Sequence, residues 1–224
     1  MKILQVNELV SIKRSIEAGT AQQLEVVQKI IADIRANGDA ALREYTLKFD
    51  RVNLESFAVP EAEIEEAYGL VDSGFVEIVR EAASNIRVFH EKQLRPSWMT
   101  TEENGTILGQ KVTPLDSVGV YVPGGTAAYP SSVLMNVVPA HVAGVKRIVM
   151  VSPPNKETGK LPPAVLVAAK EAGVKEIYKV GGAQAIAALA YGTESIQPVD
   201  KITGQEIFLS HLLKKRYLVM SIST

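Results

Sequence analysis

Two glycine pairs stand where a chain can bring its backbone against a ligand: Gly124-Gly125 after Tyr121-Val122-Pro123, and Gly181-Gly182 before Ala183-Gln184. Lacking Cβ atoms, such positions admit close approach, and free amides at the helix starts that follow can hold phosphate or another anion. Tyr121 adds a ring face and a hydroxyl, and Gln184 an amide that both donates and accepts. The chemistry on offer is the binding of a nucleotide or another small molecule. The competing reading is structural, because glycine pairs also simply turn a chain. Neither pair forms G-x-G-x-x-G, and the acidic residue expected about twenty positions later for a ribose has no clear counterpart.

Groups for proton transfer or metal binding are scarcer. The histidines are His90, His141 and His211, and no pair has metal-ligand spacing. His141 falls within a helical stretch and reads as a structural histidine; His90 reads as a surface or cap residue. H-E-x-x-H and G-x-S-x-G are absent. Asp116, Glu194 and Asp200 have no histidine neighbour in sequence, and Glu65-Glu66 looks like a solvated helix face. Read from these residues alone, the chain is a binding module without an evident catalytic centre.

Composition narrows the classes further. Lys plus Arg is 24 and Asp plus Glu 25, a formal charge of −1. That balance supplies no field for a phosphate backbone, so nucleic acid is not expected as a partner. With no cysteine, disulfides, iron–sulfur clusters, thiolate zinc sites and cysteine nucleophiles are excluded. The 224 residues, 46% of them hydrophobic, suit one large domain or two modest ones. No apolar run is long enough to span a bilayer, and Met1–Glu8 carries acid and amide too early for a secretory segment. A soluble cytoplasmic protein is the expectation.

The elements that must position the glycine pairs follow from spacing. The first hundred residues read mainly as helices. One starts at Thr20 with Leu24, Val27, Ile31 and Ile34 inward and stops at Asn37-Gly38. Another runs from Asp39 with Leu42, Tyr45 and Phe49 inward, and a third starts near Pro60. A long amphipathic helix follows, marked by Phe75, Ile78, Val79, Ala82, Ile86 and Phe89, ending by Arg95-Pro96. Trp98 reads as a packing residue. Residues 105–112 look like a small hairpin. Strands are then expected at 117–122, 147–151 and 176–180, with helices at 131–143, from Pro162-Pro163 to 172, and at 183–190. Apolar strands joined by helical crossovers imply a parallel sheet covered on both faces. The expected fold is thus α/β: a Rossmann-like three-layer α/β/α sheet over 107–204, preceded by a mainly helical region, 1–106.

The run Val118-Gly119-Val120-Tyr121-Val122-Pro123-Gly124-Gly125 resembles the histidinol dehydrogenase family. So do Tyr129–Met135, Ser152-Pro153-Pro154 and, above all, Val180-Gly181-Gly182-Ala183-Gln184 with its continuation to Thr193, leading into Val199-Asp200-Lys201-Ile202. The resemblance covers residues 1–204. It implies an aldehyde dehydrogenase-like architecture, with the 1–106 region belonging to an incomplete first Rossmann-like domain. It further implies a homodimer that oxidises L-histidinol to L-histidine through histidinal, using two NAD⁺ and a zinc ion. The family's dinucleotide contacts map onto Tyr121 and Gln184, with Pro123, Gly124, Gly125 and Gly182 around them. No catalytic or metal residue is assigned within this chain: the family's Glu–His pair and zinc ligands belong to positions beyond the matched portion.

After Gly204 the resemblance stops. All 16 glycines and 11 prolines precede residue 205. The family continues with Pro-Gly-Asn, and a coding sequence for Gln205 onward can be chosen that regains a family-like peptide when one base is restored. Residues 205–224 therefore read as an aberrant, frame-displaced tail. Three readings of the chain follow: the enzyme by family, a truncated NAD-binding module without turnover, and a structural partner of a full-length subunit. Apolar helix faces left uncovered by the missing half are expected to make the chain aggregation-prone.

Overall fold

The computed structural model describes residues 20–124 and 128–204. The expectations for Gly125, for His211 and for the tail 205–224 lie outside the described residues.

Helix α1 spans Thr20–Tyr45 and bends at Gly38, whose φ of 48° and ψ of −125° leave helical space. The expected stop at Asn37-Gly38 is thus a kink. A Cβ on Gly38 would run into the Glu194 carboxylate, which accepts the Asp39 amide at 2.7 Å. Asp39 in turn accepts from the amide and hydroxyl of Ser195. Val27, Ile31, Ile34 and Leu42 are buried as the spacing predicts, whereas Leu24 is at the surface. After Tyr45 the helix continues as a π-helical turn, Thr46–Asp50, ended by Arg51 in left-handed space at φ 60°. That turn exposes Phe49, expected inward, and stacks it on Tyr45 with ring centroids 5.7 Å apart.

Helices α2 (Glu61–Gly69) and α3 (Ser73–Glu91) follow. Asp72 caps α3 by accepting the Gly74 amide at 2.8 Å, one of the free donors of a helix start. Val79 and Ala83 are buried, but Ile78 and Phe89 project outward. The apolar stripe on α3 is therefore narrower than its sequence pattern. His90 sits on the last turn with Nδ1 2.8 Å from Gln93 Oε1, in the surface role expected.

The hairpin pairs β1 (Trp98–Thr101) with β2 (Ile107–Gln110), so residues 105–112 supply only its second half. Every residue of both strands is exposed. Trp98 is 54% exposed and packs no core, correcting its expected role.

Strands β3 (Ser117–Tyr121), β4 (Arg147–Ser152), β5 (Glu176–Lys179) and β6 (Lys201–Gly204) form one parallel sheet in the order β5-β4-β3-β6. Helices α4 (Pro130–Val142), α5 (Pro163–Glu171) and α6 (Gly182–Tyr191) make the crossovers. Alternation along the strands divides the core. Val118, Val120, Ile148, Met150 and Ile177 join the cluster formed with α2, α3, α4 and α5. Tyr121, Val149 and Val151 join the cluster formed with α1 and α6. This is the expected α/β/α layering, with the described N-terminal helices packed on the sheet's own helical layers.

Polar bolts secure the amino ends of the strands. Asp200 accepts both the amide and the hydroxyl of Ser117 at 2.8 Å. Arg147 forks onto Glu176 at 2.9 Å and donates to the Pro198 carbonyl. At the β5 edge, Lys179 donates its amide to Phe57 and Val59 donates to Ile177, so residues 57–59 cap that edge.

Candidate functional site

The chain leaves β3 for β4 and β5 on one side, then returns to lay β6 on the other. The switch therefore lies beside β3, and the crevice outside the carboxyl ends of the strands there is where open parallel sheets bind ligands. Tyr121 is the last residue of β3, and Gly182 and Gln184 lie in the first turn of α6. The fold gathers all three, with Pro123 and Gly124 on the loop leaving β3.

The Tyr121 hydroxyl accepts the Gly182 amide at 3.2 Å. This corrects the idea that the Gly182 amide stands free for an anion: the phenol occupies it. Burial pushes the Tyr121 phenol above its ordinary range, so it stays protonated at neutral pH and keeps a hydroxyl proton to donate.

Gly182 adopts φ 62°, and a Cβ there would lie 2.7 Å from Gln184 Oε1. Gln184 is 1% exposed. Its Nε2 lies 3.5 Å from Asp50 Oδ2, while Oε1 is buried with no partner among the described residues. An orphaned buried amide oxygen is costly, and its presence beside the crevice fits a ligand that brings a donor.

Gly124 and Gly181 have a packing reason of their own. A Cβ on Gly124 would meet Pro153 Cγ at 2.5 Å, and one on Gly181 would collide with the same proline ring. Pro153, at the end of β4, is wedged between the two glycine loops. The structural and binding readings of the pairs therefore coexist. Pro153 also lines a cleft of about 530 Å³ with Phe49, Asp50, Gly124, Lys156 and Pro162.

Asp50 was not anticipated. Desolvation raises its carboxyl to about 6, against the lowering influence of Lys156. No hydrophobic period marks it, because a π turn rotates the side chains that follow away from the helical pattern. His141 is half-buried in α4 against Gly173, and burial, then Arg87, holds its imidazole below the usual range. It has no place in the crevice. Among the described residues no three His, Cys, Asp or Glu gather to hold a metal. Likewise, among them no helix is long and apolar enough to cross a membrane.

Comparison with known proteins agrees with this architecture. The family model described as histidinol dehydrogenase matches residues 13–208. Histidinol dehydrogenase from Geobacillus kaustophilus is 64% identical over 204 residues, which are 91% of this chain and 48% of that protein. The Bacillus subtilis protein of the same name is 62% identical over 206 residues, again 48% of its length. The crystal structure of histidinol dehydrogenase from Elizabethkingia anophelis superposes with a TM-score of 0.83 at 33% identity, covering 97% of this chain and 47% of that one. The chain spans about half the length of the relatives it matches. With the family model matching residues 13–208 and a shared overall fold, the chain belongs to the histidinol dehydrogenase family.

Proposed function

We propose that these residues are the nucleotide-binding portion of an NAD-dependent histidinol dehydrogenase, which oxidises L-histidinol to L-histidine through L-histidinal. One observation carries the reading: the buried Oε1 of Gln184, without a partner among the described residues, held beside Gly182 at the switch point of the sheet. NAD, when bound, supplies the hydride acceptor for both oxidations.

This chain's residues bind and orient. Tyr121 bears a ring and a protonated hydroxyl, Gln184 an acceptor, Pro123 a rigid ring at the exit of β3, and Gly124 and Gly182 backbone without side-chain bulk. Gly125 belongs to the same proposed cradle. Orientation matters because hydride transfer requires donor and acceptor held in a reactive pose. The groups that move the proton, and the zinc ligands, are proposed to belong to the other half of the enzyme. Among the described residues no three His, Cys, Asp or Glu stand together to hold a zinc ion. A homodimer in the cytoplasm belongs to this reading on the family's behaviour, as does a frame displacement after Gly204, which DNA sequencing across the junction tests.

NADH titrated into the chain, followed by its fluorescence, should show saturable binding. Histidinol with zinc and NAD⁺ should give no NADH from these 224 residues alone. Absence of NADH binding overturns the nucleotide assignment; turnover overturns the assignment of catalysis to the other half. A partner role would instead require stable co-purification with a full-length subunit.

A further inference from the structure

Gln184 presents a choice that its own structure does not make. A side-chain amide turned over end for end keeps its shape and exchanges donor for acceptor. Which end faces the cradle decides whether the site accepts or donates, and a group outside Gln184 must fix it.

Asp50 is placed to do so. Its Oδ2 faces Gln184 Nε2 at 3.5 Å, from a residue 134 positions earlier in the chain. An ionised carboxylate accepts only, so it favours the NH₂ end of the amide toward itself and sends Oε1 the other way, toward Gly182. The backbone around Asp50 is unusual. It ends the π-helical turn, and Arg51 after it is the sole non-glycine with positive φ among the described residues. Such conformations are strained and persist where the surroundings demand them. Here their result is a carboxylate carried from the α1 layer to the mouth of α6.

We infer that Asp50 is a positioning residue for nucleotide binding, fixing the Gln184 amide so that its oxygen faces the cradle as a hydrogen-bond acceptor. The inference rests on the nucleotide reading above. It predicts that Asp50 acts through Gln184 and not by touching the ligand.

A double-mutant cycle with NADH as the probe tests this on the 224-residue chain. Asp50→Asn keeps the shape but can donate to Gln184 Oε1, which turns the amide and offers the ligand a donor. NADH should bind about tenfold more weakly to Asp50→Asn and to Gln184→Ala, a loss of about 1.4 kcal/mol in each. Asp50→Asn placed on Gln184→Ala should cost nothing further. Asp50→Ser, which removes the carboxylate without offering an amide, gives the same cycle if Asp50→Asn melts without cooperativity. An Asp50 effect undiminished in the Gln184→Ala background overturns the inference, since it denotes a direct contact or a general loss of structure. Unchanged NADH affinity in both Asp50 variants overturns it too, while leaving the nucleotide reading intact. No NADH binding by the unaltered chain removes both.

Discussion

The hydroxyl of Tyr121 and the backbone amide of Gly182 meet at 3.2 Å, bonding the end of the central strand β3 to the first turn of α6. Tyr121→Phe removes the acceptor and leaves the part-buried Gly182 amide unpaired. We expect a loss of about 1–2 kcal/mol, read as a lower denaturant midpoint at unchanged slope, together with weaker NADH binding.

Gly182→Ala adds a Cβ at positive φ and 2.7 Å from Gln184 Oε1. The left-handed conformation alone costs about 1–2 kcal/mol, so the melting temperature should fall and NADH affinity with it. Gly69→Ala is the control. Nothing lies within 4 Å of its added methyl, and the change should be neutral or slightly stabilising.

Asp50 titrates at about 6 in the fold, against 3.8 for the ordinary carboxyl. Because the folded value is the higher one, the native state holds the proton more tightly between these two pH values. Stability contributed by this group is therefore greatest below pH 4, falls as pH rises toward 6, and is flat above. Asp50→Asn should stabilise the chain by about 1 kcal/mol at pH 7, after allowance for solvent screening. That gain should vanish below pH 4. Thermal melts at pH 4 and 7 check this, and a gain present equally at both would contradict it.

Arg147 joins β4 to Glu176 and to the Gln197 and Pro198 carbonyls. Arg147→Ala leaves those acceptors without their shared donor. We expect a cost of about 2 kcal/mol, and faster hydrogen exchange at the β4–β5 amides than at α1.

A groove of about 940 Å³ runs between α4 and the 93–96 and 112–115 segments, with Leu94, Leu115 and Met135 exposed along it. Met99 and Ile107 of the hairpin are exposed as well, and exposed apolar surface of this kind favours association in water. Sedimentation should show self-association rising with concentration, and Leu115→Glu with Met135→Glu should shift the distribution toward monomer. A monodisperse monomer of the unaltered chain at high concentration would contradict it.

Much of this arrangement was legible in the residues. Val118, Val120 and Tyr121 read as strand because their burial on both faces makes a continuous apolar run, and Gly144 and Gly173 punctuate the helices where their positive φ ends them. The placement of Tyr121 and Gln184 at strand ends followed from that sheet. Strand β1 was missed because Trp98–Thr101 is exposed throughout and has no in–out alternation to detect. Phe49 was misread, and Asp50 overlooked, because a π turn breaks the helical period without leaving a glycine or proline to announce it. Pro153 reads in the sequence only as part of the segment leaving a strand, since its wedge between the glycines exists only when two loops distant in sequence close around it.

The strand order β5-β4-β3-β6 also sets a timetable for synthesis. Ser117 and Asp200, which pin β3 to β6, are separated by 83 positions, on the order of 4–17 seconds at roughly 5–20 residues per second. Throughout that interval the emerging polypeptide carries its future central strand as an edge, open to pairing with a neighbouring nascent copy. Only the arrival of Lys201–Gly204 shuts it, so a ribosome that stalls shortly before this stretch would hold the chain at its most adhesive moment.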